Sequence, residues 1–298
     1  MKELKFVEYL KRKTGKPVKG VKLGIGDDCA VLEAGKDKYI LWASDMLVSG
    51  THFIPGKDPY KKVGRKACAV NISDIAAMGG VPKYITVSLG VPPKLNDAAL
   101  KDIYEGMLAI CKEYNVQIVG GDTVRSENLV IDVSIIGEVK KKELVLRSGV
   151  KSGDVIMVTG PIRDGKKTHL DFDPRLTESQ YLGKNFKINS MIDVSDGLAM
   201  DLTRICKESK RGARLDPSMI PLSSGLSLKD AMHYGESFEL LFTMSPKEAD
   251  KLLRATKGVK FKNSFHRIGK IPQNCKKILQ IDPKKGQIPI NPQGFNHM

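Results

Sequence analysis

Aspartates follow short apolar runs at four places in this 298-residue chain. The runs are Gly24-Ile-Gly-Asp-Asp28, Leu41-Trp-Ala-Ser-Asp45, Ile118-Val-Gly-Gly-Asp122 and Met191-Ile-Asp-Val-Ser-Asp-Gly197. If the strands lie side by side, the carboxylates meet at one edge of a sheet. Because clustered carboxylates repel one another, such an edge needs hard cations. Oxygen ligands without His or Cys suit Mg²⁺, Mn²⁺ or Ca²⁺.

A fifth carboxylate, Asp74, lies within an apolar stretch whose spacing predicts a helix. The helix is expected to begin near Asp58-Pro59 and to stop at Gly79-Gly80. A carboxylate among apolar neighbours is costly to bury unless a cation pairs with it. Asp74 therefore joins the candidate metal ligands. The alternative is an exposed residue at the end of an ordinary helix.

The elements that must position these carboxylates alternate between strands and helices. Strands are predicted at residues 39–45, 84–90, 116–120, 129–137 and 155–160. Helices are predicted at residues 3–13, 96–114 and 198–208. Ser195 or Asp196 is the expected N-cap of the last of these helices, whose N-terminus could also receive a phosphate. The pattern indicates an α/β or α+β fold of two domains, residues 1–148 and 149–298.

Composition narrows the classes of function. No apolar run reaches the roughly 18 residues of a membrane span, and the N-terminus lacks a signal-peptide core. Five scattered cysteines predict reduced thiols in a cytoplasmic protein. The net charge of +15 raises nucleic-acid binding as a possibility, but the basic residues are dispersed and aromatic residues make up only 6%. We expect a solvated basic surface, with neither nucleic acid nor membrane as a partner.

One segment nearly matches the P-loop motif but lacks two of its required features. Gly160-Pro-Ile-Arg-Asp-Gly165-Lys166-Lys167-Thr168 follows a predicted strand and approaches the P-loop pattern. A P-loop needs Ser or Thr directly after its lysine, where this chain has Lys167, and Pro174 interrupts the helix that should follow. We interpret the match as chance.

Taken together, the motifs resemble those of the thiamine-monophosphate kinase family, part of the ATP-binding superfamily that includes aminoimidazole ribonucleotide synthetase. The matching segments occur in the family's order over nearly the whole chain. They are Gly24-Ile-Gly-Asp-Asp28, Ser44-Asp45, Gly50-Thr-His-Phe53, Ala69-Val-Asn-Ile-Ser-Asp74, Gly120-Gly-Asp122, Arg147-Ser-Gly149, Asp193-Val-Ser-Asp-Gly197, Gly235-Glu236 and Gly294-Phe295.

The resemblance implies a fold and a reaction. It implies an N-terminal mixed sheet that pairs with a second copy into a barrel-like dimer core, and a C-terminal α/β domain that completes the active site. It implies ATP-dependent phosphorylation of thiamine monophosphate to thiamine diphosphate by direct, Mg²⁺-assisted transfer, without a covalent protein intermediate. The expected partners are thiamine monophosphate, ATP and a second copy of the chain.

The resemblance also implies roles for individual residues. Several Mg²⁺ ions would be held by Asp28, Ser44, Asp45, Asp74, Asp122, Asp193 and Asp196. ATP would be contacted by Gly120, Gly121, Arg147, Ser195 and Tyr104. The thiamine substrate would face His52, Glu236 and Phe295.

This chain departs from the family's pattern on the substrate side. Ser237 and Phe238 stand where the family usually has Asp and Tyr, and Ala43 where it often has Ser or Thr. The connection after Gly160 is short and charged, which predicts a missing helix and a more open site. Two alternatives follow: a different acceptor for the same ATP chemistry, or a non-catalytic scaffold or nucleic-acid-binding protein. Clustered carboxylates argue against the scaffold, because unused ones would only destabilise the fold.

Overall fold

The computed structural model describes residues 3–257, 265–282 and 284–291. It contains two sheets with helices around them, a mixed α/β arrangement of two units. The first sheet has the strand order β1-β2-β3-β6-β4-β5. Its strands are β1 (Val21–Leu23), β2 (Ala30–Ala34), β3 (Lys38–Val48), β4 (Val81–Val91), β5 (Gln117–Arg125) and β6 (Val130–Lys140). In this sheet only β4 and β5 run parallel to each other, because the helix Asp97–Glu113 connects them. The other neighbouring strands are antiparallel.

Three helices belong to this first half of the chain: α1 (Glu3–Lys13), α2 (Tyr60–Ala77) and α3 (Asp97–Glu113). Asn96 caps α3, since its side chain accepts a hydrogen bond from the Ala99 amide. The predicted bounds of α2 are confirmed, with Gly79 following its end at φ +76°.

Glycines let α2 and α3 approach each other closely. A Cβ on Gly64 would lie 1.9 Å from the Ile103 carbonyl oxygen, and one on Gly106 would lie 1.8 Å from that of Lys61. No side chain fits at either position. The close contact fixes α2 in the first core, which leaves its residues toward Ala77 pointing at the second half of the chain.

The second sheet has the order β13-β12-β9-β11-β7-β10-β8. Its strands are β7 (Val155–Thr159), β8 (Ile188–Asp193), β9 (Ala213–Leu215), β10 (Leu240–Met244), β11 (Phe265–Lys270), β12 (Ile278–Asp282) and β13 (Gly286–Pro289). Its helices are α4 (Gly165–Thr168), α5 (Leu176–Asn185), α6 (Leu198–Glu208), α7 (Leu228–His233) and α8 (Pro246–Ala255). Strands β7 and β10 are buried along their whole length, because separate apolar clusters cover the two faces of this sheet.

Two local predictions need correction. The N-cap of α6 is Gly197 at φ +112°, with no side-chain cap, so neither Ser195 nor Asp196 caps this helix. The connection after β7 keeps one four-residue and one ten-residue helix, α4 and α5, rather than losing its helical structure. In the P-loop-like segment, Lys166 pairs with Asp230 and Lys167 with Asp164; that the resemblance is chance stays a prediction. No helix in the described ranges is both long and apolar enough to cross a lipid bilayer.

Candidate active site

A cleft of about 600 Å³ opens where the first sheet, helix α2 and the second sheet meet. Most of the site residues predicted from the sequence line this cleft. They are Asp28, Ser44, Asp45, His52, Asp74, Arg147, Asp193, Ser195, Asp196 and Glu236. Residues from both halves of the chain therefore line one cleft, which neither sheet forms alone.

The centre of the cleft is a group of three carboxylates, Asp28, Asp74 and Asp193. One oxygen from each lies within 4.8 Å of the others. They come from the loop before β2, from α2 and from the end of β8. The expectation that the carboxylates after strand-like runs gather at one edge of a single sheet is therefore wrong for Asp28 and Asp193, which meet Asp74 of α2 between the two sheets.

Burial and mutual repulsion make this group unfavourable without a cation. Burial raises the pKa of Asp74 well above its ordinary value, and the charges of Asp45, Asp193 and Asp28 raise it further. Burial likewise raises the pKa of Asp193, and the negative charge of Asp28 raises it further. The raised pKa values of Asp74 and Asp193 mean that nearby positive charge does not balance their ionised carboxylates, as expected for ligands of a positive ion.

The three carboxylates fit a hard divalent cation. Arg147 Nη2 donates to Asp28 Oδ1 at 2.6 Å, and Ser73 Oγ donates to Asp193 Oδ2 at 2.6 Å. Asp28 Oδ2 is buried and has no hydrogen-bond partner among the described residues. These contacts orient two of the carboxylates and leave an acceptor oxygen for a ligand. The donor set contains oxygen only, the chemistry that suits Mg²⁺.

Ser44 and Asp45 extend this group along β3. Their side chains alternate, with Ser44 on the exposed face of the sheet and Asp45 partly buried beside the carboxylates. Ser44 Oγ donates to Asp132 Oδ1 at 3.1 Å, because Asp132 lies on the neighbouring strand β6. Sequence reasoning missed Asp132, although a polar residue inside the apolar run of residues 129–137 was a usable signal.

Asp196 is held at the second-sheet side of the cleft by a cation from α6. Arg204 forms ion pairs with both Asp196 and Asp201. The Asp196 amide also donates to Asp201 Oδ2 at 3.0 Å. The turn that carries Ser195 and Asp196 is thus fixed by α6, and both residues line the cleft.

Two groups of predicted residues lie elsewhere. Gly120, Gly121 and Asp122 are exposed on β5, the edge strand. They lie in register with residues 44–46 of β3 across the sheet. Strands β6 and β4 lie between β3 and β5, which separates the two groups by about 14 Å at the usual strand spacing. Tyr104 on α3 packs against the first core and does not line the cleft. Phe295 lies outside the described residues.

Lys66 is a site residue that sequence reasoning did not identify. It is completely buried on α2, and its Nζ forms an ion pair with Glu236 Oε1. Nζ also lies 3.2 Å from the His52 carbonyl oxygen and 3.1 Å from His169 Nδ1. The spacing of Lys66, Val70 and Asp74, each one helical turn apart, was the available signal.

The substrate-side loop around Glu236 has an unusual backbone. Glu236 and Phe238 both adopt the left-handed region, at φ +63° and +52°. A bulky residue rarely does so without support from its surroundings. That support comes from the shortened connection, where Ser237 Oγ accepts a hydrogen bond from the Arg163 amide at 3.0 Å. The Phe238 ring stacks on Phe172.

His52 is oriented by its own loop. The Val48 amide donates to His52 Nδ1 at 2.9 Å. Because Nδ1 accepts, a neutral His52 carries its proton on Nε2. This hydrogen bond fixes the imidazole at the end of the cleft that also holds Glu236.

A second, basic cavity of about 930 Å³ adjoins the cleft. It lies between α1, the loop of residues 24–27 and α6. It is lined by the cations Lys11, Arg12, Arg147, Arg204 and Lys207 and by the carboxylates Glu8, Asp27 and Glu208. Lys11 pairs with Glu208 and Lys207 with Glu8. Arg147 lines both cavities, so an anionic ligand in the basic cavity can extend past Arg147 to the carboxylates.

Comparisons with known proteins agree with this two-part architecture. The family model described as AIR synthase related protein, N-terminal domain, matches residues 26–139, and the corresponding C-terminal domain model matches residues 151–282. The thiamine-monophosphate kinase of Buchnera aphidicola (Acyrthosiphon pisum strain) is 36% identical, over 97% of this chain and 96% of its own. That of Bacillus subtilis is 33% identical, over 93% and 94%. A solved structure described as AaThiL complexed with AMPPCP and TMP superposes with a TM-score of 0.84 at 25% identity, over 100% of this chain and 97% of the other.

Proposed function

The chain belongs to the thiamine-monophosphate kinase family of AIR synthase related proteins, and from this premise we propose the roles of its site residues. The enzyme is a phosphotransferase that uses ATP to convert thiamine monophosphate into thiamine diphosphate. A single observation carries the proposal: three convergent carboxylates lie in the same cleft as His52 and Glu236. One end of the cleft suits phosphate chemistry, and the other offers hydrogen-bonding groups to an organic ring.

The reaction needs no protein nucleophile. A phosphate oxygen of thiamine monophosphate attacks the γ-phosphorus of ATP, and the bond from that phosphorus to the β–γ bridging oxygen breaks. ADP leaves with the electron pair of that bond. Because the attacking phosphate oxygen is already anionic at neutral pH, a strong general base is unnecessary. The protein contributes mainly by positioning two anions and compensating their charge.

Asp28, Asp74 and Asp193 are the residues that would hold Mg²⁺, with Ser44, Asp45, Asp122 and Asp196 as further ligands for additional ions. Mg²⁺ bound there would neutralise the phosphate oxygens and align the two reactants. Support for the first three comes from their mutual distances and from the unpartnered Asp28 Oδ2. Ser73 and Arg147 keep Asp193 and Asp28 in place through the hydrogen bonds described above.

ATP binds along the line from the basic cavity to the carboxylates. Arg147 and Ser195 contact its phosphates, and the basic lining compensates their charge. Arg147 lines both cavities, which supports this path. Three further residues are proposed to contribute to the nucleotide site although they do not line the cleft of their own chain: Gly120, Gly121 and Tyr104. Asp122 lies beside the two glycines on β5.

A second copy of the chain explains how β5 takes part. The exposed face of the first sheet carries an apolar row of Trp42, Ile136 and Tyr84, which pair in register across β3, β6 and β4. Trp42 is 50% exposed and Tyr84 48% exposed. Large apolar side chains on an open sheet face favour burial against a partner. We propose that two copies pair through this face into a barrel-like core, bringing β5 of one copy near the cleft of the other.

The substrate ring faces His52, Glu236 and Phe295. Glu236 supplies an acceptor and His52 a donor at the end of the cleft away from the carboxylates. Phe295 would add an aromatic face for the cationic thiazolium ring.

The domain boundary is proposed at residue 148, between the end of β6 and the start of β7. Four buried free thiols support a cytoplasmic location.

The direct test is to incubate the purified protein with ATP, Mg²⁺ and thiamine monophosphate and to measure thiamine diphosphate by chromatography. We expect product that a chelator abolishes. Mg²⁺-dependent ATP binding without thiamine diphosphate would instead point to a different acceptor. Trapping of a phosphorylated side chain during turnover would contradict direct transfer.

A further inference from the structure

We propose that Lys66, itself oriented by His169, is a positioning residue at the substrate end of the cleft: it holds the Glu236 carboxylate to accept a hydrogen bond from the amino group of the substrate's pyrimidine ring. The inference rests on the proposed function, because it takes thiamine monophosphate as the acceptor. It adds two residues, Lys66 and His169, that were not among the site residues predicted from the sequence.

The contacts of Lys66 use all of its hydrogen-bonding capacity. An ammonium group has three N–H donors and no acceptor. Its three partners here are Glu236 Oε1, the His52 carbonyl oxygen and His169 Nδ1. Because every donor is used within the protein, Lys66 has none left for a substrate phosphate. Its role is therefore to fix its neighbours rather than to bind the reacting groups.

The partners of Lys66 come from three separate parts of the fold. His52 belongs to the loop after β3, His169 to the end of α4 and Glu236 to the loop before β10. Their positions all depend on one buried charge on α2. Burial lowers the pKa of Lys66, and the nearby Glu236 charge opposes that effect. A completely buried lysine is costly unless such partners surround it.

The geometry leaves one oxygen of Glu236 for a ligand. Oε1 is taken by Lys66, whereas Oε2 lies 3.8 Å from His169 Nδ1. The Glu236 side chain is 25% exposed and lines the cleft. The left-handed backbone at Glu236 also directs this residue away from regular strand geometry. An anchored carboxylate with one open oxygen is an acceptor of defined position.

The chemistry of thiamine monophosphate identifies what that acceptor would bind. The amino group on its pyrimidine ring is the only N–H donor of the molecule, since the thiazolium nitrogen is fully substituted. The phosphate lies at the opposite end. Along α2, Lys66 and Asp74 are eight residues apart, about 12 Å at the usual rise per residue. The helix thus places a carboxylate acceptor and a phosphate site at the two ends of one cleft.

The shortened connection after β7 takes part in this arrangement. His169 accepts at Nδ1 when Lys66 is an ammonium, so the neutral His169 carries its proton on Nε2. The same segment places Phe172 against Phe238 and the Arg163 amide against Ser237. The sequence analysis expected a more open site. At the substrate end of the cleft, His169 and the contacts of Ser237 and Phe238 fill the space around Glu236 instead.

The test measures thiamine monophosphate binding by calorimetry and turnover by product formation, for wild type and Lys66→Met. We expect the Kd and KM for thiamine monophosphate to rise about 10- to 100-fold, the range for losing a charged hydrogen bond in a buried site. The KM for ATP should stay within about threefold, since Lys66 has no donor for phosphate. Lys62→Met is the matched control, because Lys62 lies one turn earlier on α2 and pairs only at the surface with Asp171.

Two further variants separate positioning from a purely structural role. Lys66→Arg should restore part of the affinity, which guards against a Lys66→Met variant that folds poorly. Lys66→Met combined with Glu236→Gln should bind thiamine monophosphate no worse than Glu236→Gln alone, because Lys66 acts through Glu236. Additive losses in this cycle would contradict the proposal.

A substrate analogue tests the predicted hydrogen bond itself. In oxythiamine monophosphate a carbonyl oxygen replaces the pyrimidine amino group. Wild type should bind it at least about tenfold more weakly than thiamine monophosphate, and Lys66→Met should lose this discrimination. Equal discrimination by both proteins would overturn the role of Lys66 while leaving the kinase activity intact. Wild type that binds thiamine monophosphate without turnover would contradict the proposed function alone, and wild type that does not bind it would overturn both.

Discussion

The phenyl ring of Phe172 stacks on that of Phe238, with centroids 3.9 Å apart and planes 16° apart. Both side chains are buried. Phe238 lies in the loop before β10, and Phe172 lies in the connection between α4 and α5. The connection after β7 therefore supplies packing that supports the left-handed backbone of Phe238.

This packing predicts the effect of removing the Phe172 ring. Phe172→Ala should lower the free energy of unfolding by about 3–5 kcal/mol, the usual cost of truncating a buried Phe. It should also raise the KM for thiamine monophosphate more than that for ATP, because Phe238 lines the cleft beside Glu236. Urea unfolding and steady-state kinetics measure the two effects. Tyr9→Ala, which removes an exposed ring, should change stability by less than about 0.5 kcal/mol.

The carboxylate group predicts opposite effects on stability and activity for Asp74→Asn. In chelator, the free energy of unfolding should rise, because a neutral Asn side chain relieves the burial and repulsion that raise the pKa of Asp74. Turnover should fall by about 100-fold or more, since a metal-held charge contributes several kcal/mol to such reactions. Asp102→Asn on the exposed face of α3 is the control. Near-normal turnover of Asp74→Asn at saturating Mg²⁺ would contradict the metal role.

His169 predicts a pH dependence of stability. Burial lowers its pKa from the ordinary value near 6.5, and the Lys66 charge lowers it further, while Glu236, Asp58 and Asp171 oppose the shift. Because the folded state binds the proton less readily than the unfolded state, the contribution of His169 is complete above pH 6.5. It is lost as the pH falls from 6.5 through the lower folded pKa.

His169→Gln should therefore flatten the decline in stability between pH 7 and 5, measured by urea unfolding across that range. The same variant should reduce the rise in KM for thiamine monophosphate at acidic pH, because a protonated His169 can no longer accept from Lys66. His266 is the matched control: burial lowers its pKa too, but it lies on β11. His266→Gln should alter the stability profile and leave the KM profile unchanged. A KM profile that His169→Gln leaves unaltered would separate His169 from the substrate site.

The exposed apolar row predicts a dimer that a single charge disrupts. Trp42→Glu should convert the proposed dimer into monomers in sedimentation analysis. An unpaired charge buried at an interface costs about 3 kcal/mol or more, and a two-fold interface includes the change twice. ATP affinity should fall in parallel, because Gly120 and Gly121 would no longer reach the neighbouring cleft. Leu108→Glu, on the outer surface of α3 and 56% exposed, should leave the dimer intact. A monomeric wild type with full activity would contradict the shared site.

The sequence by itself determined the local elements and the family. Helix α2 and the Asn96 cap follow from apolar spacing and from a side chain that satisfies a nearby amide, interactions within a few residues of each other. The short motifs around Asp28, Asp74 and Asp193 were readable for the same reason, since each one is contiguous. Their order along the chain was enough to indicate the phosphate chemistry.

Only the tertiary structure decided which of these residues meet. Lys66 contacts His169 and Glu236 across 103 and 170 positions of sequence, a relation that no local pattern encodes. Asp28, Asp74 and Asp193 converge between two sheets, and Asp122 lies on an edge strand away from them, although all four carry similar motifs. The physical reason is that periodicity and capping act over one or two turns, whereas the positions of whole elements depend on packing among distant segments. The glycine contacts between α2 and α3 and the stacking of Phe172 on Phe238 are such packing interactions, and they set the distances within the cleft.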